Sequence, residues 1–77
     1  MNWLPTTDYA IRTTDKRFAI CRKNVGDRID YELWRVAGNL FLSARRGVKP
    51  DNKSRMTAIN ELKDEALKYV ESQDAAK

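Results

Sequence analysis

YELWRVA, residues 31–37, is the stretch that decides the fold of this chain. It holds the second of the two tryptophans and lies near the middle of the only region with strand-like sequence. Apolar runs that end in turn residues lie on both sides of it. If these runs are strands, residues 31–37 belong to the centre of a sheet.

A period of two marks the runs before this stretch, at residues 9–14 and 17–23. The predicted strands cover residues 9–14, 17–23, 29–37 and 40–44, the last being a short fourth strand or the exit of the third hairpin. Dipeptides typical of tight turns separate them, at residues 15–16, 26–27 and 38–39. The sequence therefore predicts three or four antiparallel strands.

Helical spacing of apolar residues follows the strands. Residues 45–53 (RRGVKPDNK) are expected to be irregular, because Gly47 and Pro50 interrupt both strand and helix. A helix is predicted from about residue 53 to residue 72, with Asp51, Asn52 or Ser54 as its N-terminal cap. Its apolar stripe comprises Met56, Ile59, Leu62, Ala66, Tyr69 and Val70.

One apolar stripe on a helix has to be buried against one face of a sheet. The predicted fold class is thus α+β, a three- to four-stranded antiparallel sheet with one C-terminal amphipathic helix on one face. At 77 residues the chain is one domain with a small core. Residues 1–8 are an entry segment in which Trp3 packs on the domain edge, and residues 73–77 are expected to fray.

Residue content argues against catalysis. The chain has no histidine and one cysteine, so neither a zinc site nor an internal disulfide is expected, and no cofactor is predicted. Asp27, Asp30 and Glu32 are neighbours, but nothing apolar isolates one of them for acid–base work. Cys21 is expected to be a small strand residue, not a nucleophile.

The beginning of the chain has neither the basic start nor the apolar run of a secretory signal. No stretch approaches the roughly 18 apolar residues of a membrane span. We therefore expect a cytoplasmic protein without a membrane partner.

Charge is distributed unevenly along the chain, whose formal net charge is +4. Residues 1–55 carry twelve basic and six acidic side chains, whereas residues 56–77 carry three basic and five acidic ones. The predicted sheet and the segment after it are basic, and the helix is acidic. Such asymmetry bears on partners and on solubility.

The first candidate site is the sheet face that the helix leaves open. If Phe18, Ile20, Tyr31 and Leu33 face the helix, the open face carries Arg12, Arg17, Cys21, Lys23, Glu32, Trp34 and Val36. Cations bind phosphates, and an aromatic side chain stacks on bases or fills a groove. In the opposite register Trp34 and Val36 lie in the core, and Tyr31, Leu33 and Arg35 face outward. Both registers fit the sequence, because each face of this strand is amphipathic.

The second candidate site is a basic loop before the helix. It comprises Arg45, Arg46, Lys49, Lys53 and Arg55. A helix N-terminus favours anions, so phosphate contacts are expected here. The alternative is a solvated loop that is basic for solubility.

The order β-β-β-α with a basic sheet resembles two DNA-binding families, the plant ethylene-response domain and the amino-terminal arm-binding domain of tyrosine recombinases. The resemblance covers residues 9–70 and rests on topology. It implies DNA contacts from the sheet, with Arg12, Arg17, Arg22, Trp34 and Arg35 as candidates. The glycine-rich turns of those families are absent, and Asp30 and Glu32 add negative charge to the sheet.

The first residues are also similar to those of short accessory proteins of bacteriophages and prophages. Those proteins often open with a W-x-P-T segment and a Y-A-I-type strand, as residues 3–6 (WLPT) and 9–11 (YAI) do here. The resemblance implies a small non-enzymatic protein that binds DNA or blocks a bacterial machine, in host takeover or anti-defence.

Two functions are therefore predicted. The first is a nucleic-acid-binding module, with DNA favoured over RNA, that uses the sheet and the basic loop. The second is a phage-type inhibitor or adaptor that binds a bacterial host protein. Either a monomer or a homodimer is compatible with so small a domain, because a free sheet edge can pair with its copy.

Overall fold

The computed structural model describes residues 2–4 and 10–75. Four strands form one antiparallel sheet in the order β1-β2-β3-β4. They are β1 (Ala10–Arg12), β2 (Phe18–Val25), β3 (Arg28–Arg35) and β4 (Leu40–Val48), with a 3₁₀ turn at Ala37–Asn39 before β4 and helix α1 (Asn52–Ala75) after it. The predicted α+β class is confirmed. The fourth strand departs from the three-stranded order of the families that the sequence resembles.

Strand β3 is central, and its register decides which residues form the core. It pairs with β2 on one side and with β4 on the other. Its Tyr31 and Leu33 are 2% and 0% exposed, and they pack with Phe18 and Leu62 in the core between sheet and helix. Burying side chains of this size stabilises the fold by about 1.5–3 kcal/mol each. Of the two registers open from the sequence, the structure has the one that points Trp34 away from the helix.

A buried hydroxyl organises the turn between β1 and β2. Thr13 has no exposed surface, and its Oγ1 accepts hydrogen bonds from the backbone N–H groups of Arg17 at 3.0 Å and Phe18 at 3.1 Å. Lys16 adopts a positive φ of 62° at the tip. The predicted tight turn at residues 15–16 is confirmed.

Strand β4 is longer than expected, and the irregular segment predicted at residues 45–53 is wrong for its first part. Gly47 does not end the strand, because it lies at a β-bulge where the register with β3 shifts between Ile29 and Tyr31. Its φ of +67° suits glycine, and its N–H donates to Oδ1 of Asp30 at 2.9 Å. The chain therefore stays in the sheet as far as Val48.

Helix α1 begins at a side-chain cap, one of the three predicted. The N–H of Ser54 donates to Oδ2 of Asp51 at 3.0 Å, so Asp51 is the N-cap. The buried stripe contains Ala58, Ile59, Leu62 and Ala66, flanked by half-buried Tyr69 and Val70.

Two details of the predicted helix are wrong. Met56 is 53% exposed, and the first position facing the sheet is taken by Arg55, whose Nε donates to the hydroxyl of Tyr31 at 3.1 Å. The helix also ends later than predicted, at Ala75 and not near residue 72. The fraying expected for residues 73–77 stays a prediction, and residues 76–77 lie outside the described part.

Trp3 packs against the core and forms a β-bridge with Thr13, as an edge residue of the domain is expected to do. The predictions for residues 5–9, which concern Pro5 and the start of the first strand at Tyr9, lie outside the described residues. Across the described part of the chain, no helix is both long and apolar enough to cross a membrane.

Candidate functional site

The sheet face opposite α1, called the open face below, carries one row of four side chains that crosses all four strands. Arg12 on β1 is paired with Ala19 on β2, Ala19 with Trp34 on β3, and Trp34 with Phe41 on β4. This cross-strand row therefore places a guanidinium, a methyl group, an indole and a phenyl ring side by side.

The two aromatic rings of the row contact each other. Trp34 and Phe41 meet nearly edge to face, with ring centroids 5.4 Å apart and an interplanar angle of 75°. Trp34 is half-buried and Phe41 is 43% exposed. Such pairs stabilise by about 0.5–1.5 kcal/mol beyond the area they bury. The contact orients the two rings on the open face, and part of each residue remains exposed to a partner.

A shallow concavity of about 380 Å³ lies between the cationic and aromatic ends of the row. Its lining includes Arg12, Lys16, Ala19, Cys21, Trp34 and Val36. Ala19 is 6% exposed although it lies on the open face, because larger neighbours stand on either side of it. Ala19 therefore forms the floor of the concavity, and the side chains of Arg12 and Trp34 form its walls.

Positive charge on the open face is only partly neutralised. Asp30 accepts the hydrogen bond from Gly47, and Glu32 pairs with Arg46 at 3.5 Å, so both carboxylates are engaged with β4. Arg12 and Lys23, by contrast, form no ion pair with any residue in the described ranges, and neither does Lys16 at the rim. These three cations are available to an anionic partner.

The thiol of Cys21 lines the concavity without the features of a nucleophile. Burial, and secondarily the negative charge of Glu32, raise the pKa of Cys21 above its ordinary value. The thiolate that nucleophilic chemistry requires is therefore disfavoured at neutral pH. This agrees with the prediction of a small strand residue.

The basic loop predicted before the helix is divided by the structure. Arg45 lies on β4 and faces the helix, where its guanidinium pairs with Glu61 at 3.2 Å and Glu65 at 3.3 Å. Arg55 is engaged with Tyr31. Both side chains therefore link the sheet to the helix, and their role as phosphate ligands stays a prediction.

The other members of that set keep an accessible charge. Arg46 lies on the open face with a side chain that is 63% exposed. Lys49 and Lys53 are exposed on a groove of about 600 Å³ between the end of β4 and the start of α1. These two lysines lie beside the open face and not at its centre.

Other sequence predictions fare differently. Lys23 and Trp34 lie on the open face as one of the two registers predicts. Arg17 precedes β2, and its guanidinium lies 5.7 Å from the ring centroid of Phe18, outside the cross-strand row.

Three residues of the row and its concavity were not named as candidates from the sequence: Phe41, Ala19 and Lys16. Alternation alone does not orient Phe41 within the apolar run of residues 40–42, because the register shifts there, between Leu33 and Trp34 of the facing strand.

No protein-family model, curated protein or solved structure matches this chain. Its function is therefore inferred from the side chains of the open face. These provide two aromatic rings and three unpaired cations within the described part, which are groups that stack on bases and contact phosphates.

Proposed function

We propose that the protein is a small non-enzymatic nucleic-acid-binding module, with DNA as the expected ligand, and that the open face is its binding surface. The cross-strand row of Arg12, Ala19, Trp34 and Phe41 is the observation that carries the proposal. A cytoplasmic location, in a bacterial host cell if the protein is of phage origin, belongs to the same proposal.

The aromatic pair supports this function through its position. An indole and a phenyl ring on a sheet face that no described helix or strand covers gain contact area when a partner binds there. Stacking of a base on an aromatic side chain contributes about 1–3 kcal/mol and tolerates any base. Trp34 is half-buried and Phe41 is 43% exposed, so each ring keeps surface for such a contact.

The cations support it through charge complementarity. Each lysine or arginine that neutralises a phosphate releases condensed counterions, and affinity then depends on salt. Arg12 and Lys23 lie on the open face, and Lys16 stands at the rim of the concavity. Arg46 on β4, and Lys49 and Lys53 beyond its end, extend the positive charge toward the start of α1.

The direct test is a titration of fluorescently labelled DNA at several salt concentrations. The wild-type protein is compared with Arg12→Gln and with Lys68→Gln, which removes one positive charge from an exposed helix position. We expect Arg12→Gln to weaken binding and to reduce the slope of log Kd against log salt by about one. Lys68→Gln is expected to match the wild type. Equal effects of the two substitutions, or no DNA binding at low salt, would overturn the proposal.

A second candidate is a phage-type inhibitor or adaptor that binds a bacterial host protein. Exposed apolar side chains at one end of the β3–β4 hairpin favour it, since Val36, Leu40 and Phe41 are 42–48% exposed. This function predicts that the protein retains one stoichiometric partner from nuclease-treated bacterial lysate, and that Val36→Ser with Leu40→Ser abolishes retention. Recovery of the same proteins by the double variant would count against it.

A further inference from the structure

We propose that the ligand of the open face is single-stranded nucleic acid, and that one unstacked base enters the concavity above Ala19, between the guanidinium of Arg12 and the indole of Trp34. This inference rests on the proposed function and names its ligand more narrowly. Single-stranded DNA and single-stranded RNA share the group that this site would recognise, a planar base joined to a phosphate.

The spacing of the strands sets the width of the gap between the side chains of Arg12 and Trp34. Arg12, Ala19 and Trp34 are direct partners on three adjacent strands. Strands lie about 4.8 Å apart, so the Cα atoms of Arg12 and Trp34 are separated by about 10 Å. The strand residue between them is Ala19, whose side chain is a methyl group. A planar group can therefore lie between a guanidinium plane and an indole face, the two surfaces on which proteins stack unpaired bases.

The volume of the concavity points to one base. At about 380 Å³ it is at the lower end of the range of about 300–1,000 Å³ in which proteins bind small molecules. Its charge points to the attached backbone, because Lys16 stands at its rim. Lys23 lies four residues beyond Ala19 on β2, about 13 Å along the strand. Cations on both sides of the gap can contact the phosphates that precede and follow the inserted base.

The same shape disfavours a duplex. Base faces are stacked inside double-stranded DNA, and reading its grooves requires an element that projects into them. The row is concave at Ala19, so a duplex has to extrude a base before it fills the gap, which costs energy that a single strand does not spend.

The test compares three labelled oligonucleotides of one sequence, as single-stranded DNA, single-stranded RNA and duplex DNA, at one low salt concentration. We expect at least tenfold tighter binding of single strands, and the DNA and RNA arms identify the preferred sugar. Ala19→Leu fills the gap without changing charge, so it is expected to weaken single-strand binding at least tenfold and to leave duplex binding unchanged. Asn60→Leu, which adds a leucine at an exposed and uncharged position of α1, is the control and is expected to bind single strands like the wild type.

The outcomes separate this inference from the proposed function. Equal or tighter binding of the duplex, or an Ala19→Leu variant that binds single strands like the wild type, would overturn the inference and leave nucleic-acid binding intact. No binding of any oligonucleotide would overturn both. If Ala19→Leu does not fold, alkylation of Cys21 in the wild-type protein decides, since Cys21 lines the concavity. Protection by the single strand alone supports the inference, and equal alkylation with and without it overturns it.

Discussion

Trp34 and Phe41 are cross-strand partners on β3 and β4, and their rings meet nearly edge to face with centroids 5.4 Å apart. The pair lies on the sheet face opposite the helix, so it contributes nothing to the core that Leu33 and Leu62 form. The proposed function follows from this aromatic pair and from the neighbouring cations, which form no ion pair among the described residues. The contacts of Arg45, Thr13 and Asp51 stabilise the fold that positions the open face.

Arg45 is a structural cation, and reversing its charge is expected to destabilise the fold. In Arg45→Glu the new carboxylate faces Glu61 and Glu65, which now lie 3.2 and 3.3 Å from the guanidinium. We expect a loss of about 1 kcal/mol in the free energy of unfolding, because two ion pairs are replaced by repulsion. Urea denaturation measures it.

Lys49→Glu is the control for that experiment, since it makes the same charge change at an exposed position. Restoration of stability in the double variant Arg45→Glu with Glu61→Arg would show that the charges interact. Equal stability of Arg45→Glu and Lys49→Glu would contradict the structural role.

The hydroxyl of Thr13 is expected to be essential for the first turn. Thr13→Val keeps the shape but removes this acceptor from the buried N–H of Phe18 and from the N–H of Arg17, which also donates to Oδ1 of Asp15. Loss of the acceptor for the buried Phe18 N–H costs about 1–3 kcal/mol, measurable as a lower urea midpoint at unchanged slope. Thr14→Val, at the exposed neighbouring position, serves as control. Indistinguishable midpoints for the two variants would refute this account of the turn.

Stability is expected to fall at acid pH through the helix cap. The hydrogen bond from the Ser54 N–H lowers the pKa of Asp51 below its ordinary value of 3.8. Because the folded pKa is lower than the unfolded one, the carboxylate stabilises the fold above the unfolded value, and this contribution is lost as the pH falls through the folded pKa. The melting temperature should therefore decrease as the pH drops below about 4.

Asp51→Asn separates this titration from others in the same window. The amide still caps the helix but does not titrate, so its melting temperature should depend less steeply on pH than that of the wild type. Asp15, whose pKa is lowered chiefly by a hydrogen bond with the Thr13 side chain, contributes with the same sign in both proteins. Parallel pH profiles would show that Asp51 is not the titrating group.

Cys21 is expected to react slowly with alkylating reagents near neutral pH. Its pKa is raised by burial and then by Glu32, so the thiolate fraction stays small until the pH exceeds the ordinary value of 9.0. Glu32→Gln removes the second cause and should accelerate alkylation by iodoacetamide at pH 8. Asp27→Asn removes a carboxylate from an exposed turn and is expected to leave the rate unchanged. A rate unaffected by Glu32→Gln would contradict the electrostatic effect.

The sequence predicted those parts of the fold that depend on residues close together in the chain. The turns at residues 15–16 and 26–27 follow from dipeptides that favour the required backbone angles, and the helix follows from the spacing of Ile59, Leu62 and Ala66. The register of β3 did not follow from local pattern. Tyr31 and Leu33 alternate with Glu32 and Trp34, so the choice of face depends on packing against α1, more than twenty residues away.

The extent of β4 and the ion pairs of Arg45 did not follow from the sequence, for the same physical reason. Gly47 is typical of a strand end, yet a hydrogen bond to Asp30, 17 residues earlier, holds it in a bulge within the sheet. Arg45 belongs to a basic run in the sequence, but Glu61 and Glu65 approach it only in the folded chain. Charge content predicted a basic surface, whereas the pairing that decides which cations are available is set by tertiary structure.

The fluorescence of Trp34 on addition of a short single-stranded DNA oligonucleotide tests the central claim most directly. In Trp3→Phe the only remaining tryptophan is Trp34, and in Trp34→Phe it is Trp3, which packs against the core away from the cross-strand row. We predict saturable quenching in Trp3→Phe, weakened by Arg12→Gln, and unchanged emission in Trp34→Phe. Unchanged emission of Trp34 at saturating oligonucleotide, or equal quenching of both tryptophans, would contradict the assignment of the open face as the binding surface.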